Sequence, residues 1–239
     1  MASASEVSTL LKQNLERVEA RIEAACRQAG RTRNEITLIG ITKYVDAATT
    51  KLLFEAGLHK LGESRPQIIW EKATQILEAR WHLVGHLQRN KVTRTLPLVS
   101  LIHSVDSQRL LHAINEEAAK INKVQEVLLE LHLTAEQTKS GFTQKEWPQL
   151  PSFVFGLDHI KVTGLMGMAA LNGTPDEASK TFARLRGLRD RWQPLFGAPH
   201  ALHHLSMGMT GDFEQAILEG ATMIRIGSAL FEGLPDHAA

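Results

Sequence analysis

Apolar and polar residues alternate along this chain in two periods, one typical of helices and one typical of strands. Near the N-terminus, apolar residues recur at helical spacing on one face, and charged residues occupy the opposite face. Gly30 follows this pattern as a C′ residue and predicts the end of the first helix. The apolar face consists of Val7, Leu11, Leu15, Val18, Ile22 and Cys26.

The stretch from residue 35 to residue 43 is apolar and β-branched, which predicts a buried strand with Lys43 at its end. Strand-like and helix-like segments then alternate to the C-terminus. Helix signals include an N-cap at Asp46, a capping box from Thr174 to Glu177 with proline at N1, and a final glycine at Gly220. Helices are predicted at about 67–79, 108–121, 147–157, 175–192 and 212–218. The further strands are predicted at 59–63, 81–85, 99–105, 124–133, 160–168, 201–207 and 222–226.

About eight strands separated by helices predict an α/β protein with a single (β/α)8 barrel. Because no linker-like tract interrupts the alternation, residues 1–239 are expected to form one domain, with residues 1–30 as an extra helix before the first strand. An open, doubly wound sheet is the alternative fold. It usually has fewer strands and a glycine-rich loop after the first, and residues 43–46 contain no glycine.

Composition limits the classes of function. A hydrophobic content of 43% is enough for a sizeable core, and the one cysteine, Cys26, excludes an internal disulfide. A formal net charge of +1 gives no long-range attraction to nucleic acid or to an anionic membrane. No stretch approaches the roughly 20 apolar residues of a membrane span, and the N-terminus lacks the pattern of a signal peptide. We therefore expect a cytoplasmic protein.

Lys43 is the first candidate for chemistry. The C-terminal ends of barrel strands line the active sites of this fold. A lysine held there against an apolar wall loses solvation of its ammonium form, so that its neutral amine becomes available to form a Schiff base. The alternative is a solvated lysine that marks the strand boundary, because most lysines lie at the surface.

Polar residues at the other predicted strand ends strengthen the case. Two of these segments, 205–212 and 224–229, each combine hydroxyl groups and glycines just before a helix start, as in the phosphate-binding turns after strands seven and eight of many barrels. Two ordinary turns with N-caps are the alternative. The strand-end residues are Lys43, Glu63, Ser64, His86, Ser104, Asp106, Met166, Met168, Ser206, Arg225, Gly227 and Ser228.

A lysine that forms a Schiff base and a phosphate-binding cup in one barrel describe a pyridoxal phosphate site. Residues 81–91, 104–106, 164–166, 205–213 and 225–228 resemble signatures of the pyridoxal phosphate homeostasis proteins. That family shares its fold with the N-terminal barrel of alanine racemase. The resemblance covers about residues 35–233 and implies a single-domain, mostly monomeric carrier or regulator of pyridoxal phosphate, with no established catalytic reaction.

The resemblance also implies roles for individual residues. Lys43 would hold the cofactor as a Schiff base, and Arg225 would face the pyridine nitrogen. Ser206, Gly227 and Ser228 would bind the phosphate through hydroxyl and backbone N–H groups. Ser64 would donate a hydrogen bond toward the cofactor, although the family usually has Gly-Glu-Asn-Tyr where residues 62–65 read Gly-Glu-Ser-Arg. Serine reaches less far than the usual asparagine.

Two further kinds of site are disfavoured. Histidines at positions 82, 86, 200, 203 and 204 lack the spacing of a metal site, and His82 is expected to be a hydrogen-bonded structural residue. Arginines between residues 184 and 191 lie on an amphipathic helix without an aromatic platform, which indicates a solvated face rather than an RNA site.

Two functional classes remain open. The first is a non-catalytic binder that buffers pyridoxal phosphate or delivers it to apoenzymes, and the second is an enzyme with weak racemase-type activity on amino acids. A racemase needs an acid/base group on each face of its substrate. Tyr44, the only tyrosine, is expected on the strand face opposite to Lys43, which favours the binder.

Overall fold

The computed structural model describes residues 3–134 and 140–234. Eight parallel strands close into a barrel in chain order, with β8 paired to β1, so the predicted (β/α)8 barrel is confirmed. The strands are β1 Thr37–Ile41, β2 Lys60–Glu63, β3 Arg80–Leu83, β4 Val99–Val105, β5 Gln125–Glu130, β6 Ile160–Met166, β7 His204–Ser206 and β8 Met223–Ile226. The helices are α1 Ala4–Gln28, α2 Ala47–Glu55, α3 Pro66–Lys72, α4 Val92–Thr95, α5 Gln108–Lys120, α6 Leu150–Val154, α7 Pro175–Trp192 and α8 Phe213–Leu218.

Helix α1 lies against the outside of the barrel. Its predicted apolar face is turned inward, with Cys26 only 1% exposed, and Gly30 follows the helix in the left-handed conformation at φ 64°. The buried Asn14 side chain donates hydrogen bonds to the carbonyl oxygens of Leu230 and Glu232 at 3.1 and 2.9 Å. These bonds fix α1 to the chain just after β8. No helix in the described part of the chain is long and apolar enough to span a bilayer.

Side chains alternate along the strands between two apolar clusters. Leu38 and Ile224 belong to the large cluster that packs the barrel against its helices. The residues next to them in the chain, Ile39 and Met223, point into the barrel. There they form a smaller cluster with Leu101, Leu128 and Met166. Because strand side chains alternate with a period of two, Arg225 on β8 is also directed inward.

Several predicted elements are too long. The chain before β1 forms a 3-10 turn at Arg33–Glu35, and β1 ends at Ile41, two residues before Lys43. The helix predicted at 147–157 is divided into a 3-10 turn at Trp147–Gln149 and the short α6, because Pro148 and Pro151 have no N–H to continue a helix. Predicted strand 201–207 is reduced to His204–Ser206, and predicted helix 67–79 ends at Lys72.

Candidate functional site

A cavity of about 780 Å³ opens at the C-terminal ends of the strands. It is within the usual size of a small-molecule site. Five of the six predicted site residues line it, namely Lys43, Ser64, Arg225, Gly227 and Ser228. The rest of the lining is mainly apolar and consists of Ile41, Tyr44, Val84, Met166, Met168, Met209, Thr210, Gly211 and Phe231.

Lys43 reaches the cavity from a turn rather than from a strand. The turn closes with a hydrogen bond from the Val45 amide to the Thr42 carbonyl at 3.1 Å, and Asp46 then caps α2 by accepting from the Thr49 amide at 2.8 Å. Lys43 is exposed, so its side chain is open to solvent rather than buried against an apolar wall as expected.

The turn also changes the position of Tyr44. The Lys43 Nζ lies 4.5 Å from the centre of the Tyr44 ring, and both side chains line the cavity. Our expectation that the two point to opposite faces was wrong, because strand alternation does not continue into a turn. Tyr44 is 73% exposed.

The loops after β7 and β8 meet on the other side of the cavity. The Gly227 amide donates to the Thr210 hydroxyl at 3.4 Å, and the Asp212 carboxylate accepts from the Met209 amide at 2.6 Å. Burial raises the pKa of Asp212. Gly208 has φ 90°, and a Cβ there would lie 2.9 Å from the Phe213 Cα, so this close approach requires glycine.

Residues 209–211 line the cavity and were missed as site residues. The sequence carried a signal for them, because the hydroxyl of Thr210 and the glycine at Gly211 lie in the segment that predicted the phosphate cup. We selected the hydroxyl of Ser206 from that segment instead. Which of the two hydroxyls reaches the cavity depends on where β7 ends, and β7 ends at Ser206.

Ser206 lies inside the barrel and is fully buried. Its hydroxyl accepts a hydrogen bond from Arg225 Nη1 at 2.5 Å and lies 2.8 Å from His103 Nδ1. It does not line the cavity. The structure therefore gives Ser206 a contact other than the predicted one: its hydroxyl holds the Arg225 guanidinium, which a second bond from Nη2 to the Gly167 carbonyl at 3.3 Å also fixes.

A buried chain of hydrogen bonds continues from Ser206 through two histidines. His103 Nε2 lies 2.9 Å from His82 Nδ1. Because Arg225 has only donors, the consistent arrangement has Ser206 donating to His103 Nδ1 and His103 Nε2–H donating to His82. Burial, reinforced by nearby positive charges, lowers the pKa of His82 to about 3, and burial also lowers the pKa of His103 well below its usual value. Both imidazoles are neutral at pH 7.

The two neutral histidines predict that acid destabilises the protein. The unfolded chain takes up protons at these histidines as the pH falls below about 6.5, but the folded chain does not until the pH reaches the lowered pKa values. The free energy of unfolding therefore becomes smaller as the pH falls. Between pH 7 and pH 5 we expect a loss of about 2 kcal/mol for each of the two residues. Urea unfolding at both pH values measures it. In His103→Gln the loss should be smaller, whereas the exposed His112→Gln should keep the full loss; equal losses in both variants would contradict the assignment.

Ser64 occupies the mouth of the cavity after β2. It is partly buried, and its carbonyl oxygen packs against Gly85, where an added Cβ would lie 2.2 Å from that oxygen. Arg65 is exposed and directly precedes α3, which begins with Pro66. The departure at residues 64–65 from the family pattern therefore places a short hydroxyl side chain, rather than a longer amide, at this edge of the site.

A closed barrel with a lysine after its first strand and a buried arginine on its eighth defines a domain of the alanine racemase type. The family model described as "Alanine racemase, N-terminal domain" matches residues 11–235. A pyridoxal phosphate homeostasis protein from Aquifex aeolicus is 40% identical over 92% of this chain and 96% of its own length. The chain therefore belongs to the family of pyridoxal phosphate homeostasis proteins.

Two solved structures are similar to this chain, one of them in fold alone. PipY of Synechococcus elongatus, solved with PLP (pyridoxal phosphate) bound, has 28% sequence identity and a TM-score of 0.81, over 92% of this chain and 99% of its own. Alanine racemase from Clostridium difficile shares the fold at 16% identity, with a TM-score of 0.73. The match covers 94% of this chain but 57% of the racemase chain, so the racemase has a large part with no counterpart here.

Proposed function

We propose that this chain binds pyridoxal phosphate as a Schiff base on Lys43 and serves the homeostasis of that cofactor, by buffering or delivering it, rather than catalysing a reaction. The observation that carries the proposal is the cavity that joins Lys43, Arg225 and the two glycine-containing loops after β7 and β8. The names of its relatives and the PLP bound to PipY support the same function. We further propose that the chain acts as a monomeric single domain in the cytoplasm.

Lys43 provides the amine. Its neutral Nζ adds to the aldehyde carbon of the cofactor, and one water molecule leaves, so no oxidant or reductant is needed. The exposed position of Lys43 lets the cofactor reach the amine from solvent. An exposed linkage also hydrolyses readily, which suits a protein that releases its cofactor.

Arg225 determines the electronic character of the bound ring. The buried guanidinium has a pKa lowered by burial to about 10, so it stays protonated at pH 7. A guanidinium has five N–H donors and no acceptor, so Arg225 facing the pyridine nitrogen donates to it and keeps it unprotonated. An unprotonated ring is a weak electron sink, which disfavours removal of an α-proton from an amino acid.

The loops around Gly227 hold the phosphate in this proposal. Gly227 and Ser228 offer backbone N–H groups and a hydroxyl, and Thr210 and Gly211 line the cavity beside them. The Gly227 amide is bonded at 3.4 Å to the Thr210 hydroxyl, a long contact that an anion can replace at little cost. Glycine at this position keeps the backbone open to close approach.

Tyr44 keeps a second candidate function open. Because its ring lies next to Lys43 at the cavity, it supplies an acid/base group that a weak racemase could use. The contact places Tyr44 beside Lys43, whereas racemisation needs a group on each face of the substrate. Exchange of the α-proton of alanine in deuterium oxide distinguishes the two functions: the binder should show no rate above that of free cofactor.

The first test of the proposed function is spectroscopic. Purified protein is titrated with pyridoxal phosphate, and its absorbance is recorded before and after borohydride reduction. We expect a visible band that saturates at about one cofactor per chain, since one lysine lines the cavity, and that reduction converts into a covalent adduct on Lys43. A protein that stays colourless with added pyridoxal phosphate would overturn the proposal.

A further inference from the structure

A buried ion pair lies directly beneath the turn that carries Lys43. Lys72 Nζ and Glu63 Oε1 are 2.6 Å apart, and their side chains are 3% and 0% exposed. Within residues 3–134 and 140–234, every other ion pair has at least one side chain that is about a third exposed or more, the lowest such value being 34% for Glu19 in its pair with Arg33. This pair belongs to α3 and β2, and neither side chain lines the cavity.

Both partners bind the same residue, Thr42. The Lys72 ammonium donates to the Thr42 carbonyl at 2.7 Å and contacts its hydroxyl at 3.3 Å. The Thr42 hydroxyl in turn donates to Glu63 Oε1 at 2.6 Å. Thr42 is fully buried, and its amide donates to the Gly62 carbonyl at 3.0 Å. The residue immediately before Lys43 is therefore held at its amide, its carbonyl and its side chain.

Stability alone is a poor explanation for this arrangement. The desolvation cost of a buried ion pair roughly cancels the attraction between its charges, so that apolar residues of similar size often serve as well. The second carboxylate oxygen of Glu63, Oε2, is buried and has no hydrogen-bond partner among the described residues. A buried oxygen without a partner is a further cost. A group retained at such a cost calls for another role.

We propose that Lys72 and Glu63 are positioning residues that fix the backbone turn bearing Lys43 and so determine how tightly the cofactor is held. This inference rests on the proposed function. Lys43 has a long, flexible side chain and is exposed, so the direction of approach of its amine depends on the backbone from which it projects. Holding Thr42 rigid reduces the ordering that binding would otherwise require, which is the general benefit of preorganisation.

The Lys72 contacts identify the turn as the target. An ammonium at the last residue of a helix commonly caps the carbonyl groups of its own helix. Lys72 instead donates to Thr42, thirty residues earlier in the chain. The same carbonyl of Thr42 also accepts from the Val45 amide, so the ammonium and the turn hydrogen bond converge on one oxygen.

The test compares variants that separate stability from positioning. Lys72→Met leaves the Glu63 carboxylate buried without its cation and should be strongly destabilised. The double variant Glu63→Gln with Lys72→Met removes both charges, so most of the stability should return, but the ammonium that held Thr42 remains absent. A matched control removes the exposed pair formed by Glu126 and Lys161, 2.9 Å apart, with the substitutions Glu126→Gln and Lys161→Met.

Two readouts are used, one of them without cofactor. In the cofactor-free double variant, amide hydrogen exchange of a peptide covering residues 42–46 should be about tenfold faster than in the wild type, as expected for the loss of a hydrogen bond to a charged group. The dissociation constant for pyridoxal phosphate should also rise by about tenfold, because binding must then order a turn that the lost hydrogen bond no longer holds. The control variant should match the wild type in both measurements.

A second set of variants keeps the inference testable if the double variant does not fold. Thr42→Val removes the hydroxyl and leaves the pair intact, and should give a smaller increase in exchange and a smaller loss of affinity. Thr42→Ser keeps the hydroxyl and should restore both. A folded double variant, or a Thr42→Val variant, with the exchange rate and affinity of the wild type would overturn the inference. Failure of the wild type to bind pyridoxal phosphate would instead overturn the proposed function, and the exchange result would still report on the turn.

Discussion

Lys43→Ala is expected to eliminate the covalent attachment of pyridoxal phosphate, with the amount of adduct trapped by borohydride falling from about one per chain to near zero. The reason is positional. Lys43 is the only lysine of the described residues that lines the cavity, and Arg225, the other cation there, has no nucleophilic amine. Mass spectrometry of the reduced protein measures the adduct, and an absorbance titration measures loss of the visible band.

Lys51→Ala is the matched control. Lys51 lies on the next helix, α2, and its side chain is 59% exposed with only a 4.0 Å ion pair to Glu55. Its loss should leave the adduct and the band unchanged. Because Arg225 and the two loops proposed to bind the phosphate remain in Lys43→Ala, weak non-covalent binding should persist in that variant. A trapped adduct of normal yield on Lys43→Ala would show that another lysine carries the cofactor.

Gly164→Ala is expected to destabilise the protein by about 3 kcal/mol or more, as for severe overpacking of a core. Gly164 lies in β6 opposite His204 of β7. An added Cβ would lie 2.1 Å from the His204 carbonyl oxygen and 2.7 Å from its carbonyl carbon. These are backbone atoms of a strand that pairs on both sides in a closed barrel, so β7 cannot move away without breaking its pairing with β6 or β8.

Gly187→Ala provides the control for the same substitution. Gly187 is an exposed residue within α7, and an added Cβ would meet nothing within 4 Å. Because glycine destabilises a helix interior by about 0.5–1 kcal/mol relative to alanine, this variant should be more stable than the wild type. Urea unfolding followed by circular dichroism measures both variants. If Gly164→Ala unfolds at the same denaturant concentration as the wild type, the strand packing described here is wrong.

The elements with strong local signals were predicted well. Cys26 lies at the buried face of α1, and Thr174 and Glu177 form the capping box of α7. The cap of α5 is less certain from the sequence alone, because Asp106 and Ser107 are both suitable N-cap residues; in the structure Ser107 caps the helix. Asp106 instead lies 2.9 Å from His86. Which of two adjacent polar residues caps a helix depends on the direction of the incoming chain, which is a tertiary property.

The candidate site was predicted in part. Lys43, Arg225, Gly227 and Ser228 were selected because they follow or end strands, and they line one cavity. Ser206 was selected for the same reason but is directed into the barrel. A side chain at a strand end faces either the mouth of the cavity or the barrel interior, according to the exact strand register. A shift of one residue in that register reverses the direction in which the side chain points.

Sequence by itself determined the barrel, since alternating periods of two and 3.6 residues leave few other ways to bury the apolar faces. It also determined which residue types collect at the C-terminal ends of the strands. Only the tertiary structure decided that Lys43 and Tyr44 lie together on a turn, that Ser206 and the Gly167 carbonyl hold Arg225, and that Lys72 binds Thr42. The first depends on where β1 ends, and the other two join residues far apart in the chain. Their geometry follows from strand register and closure of the barrel, neither of which local periodicity encodes.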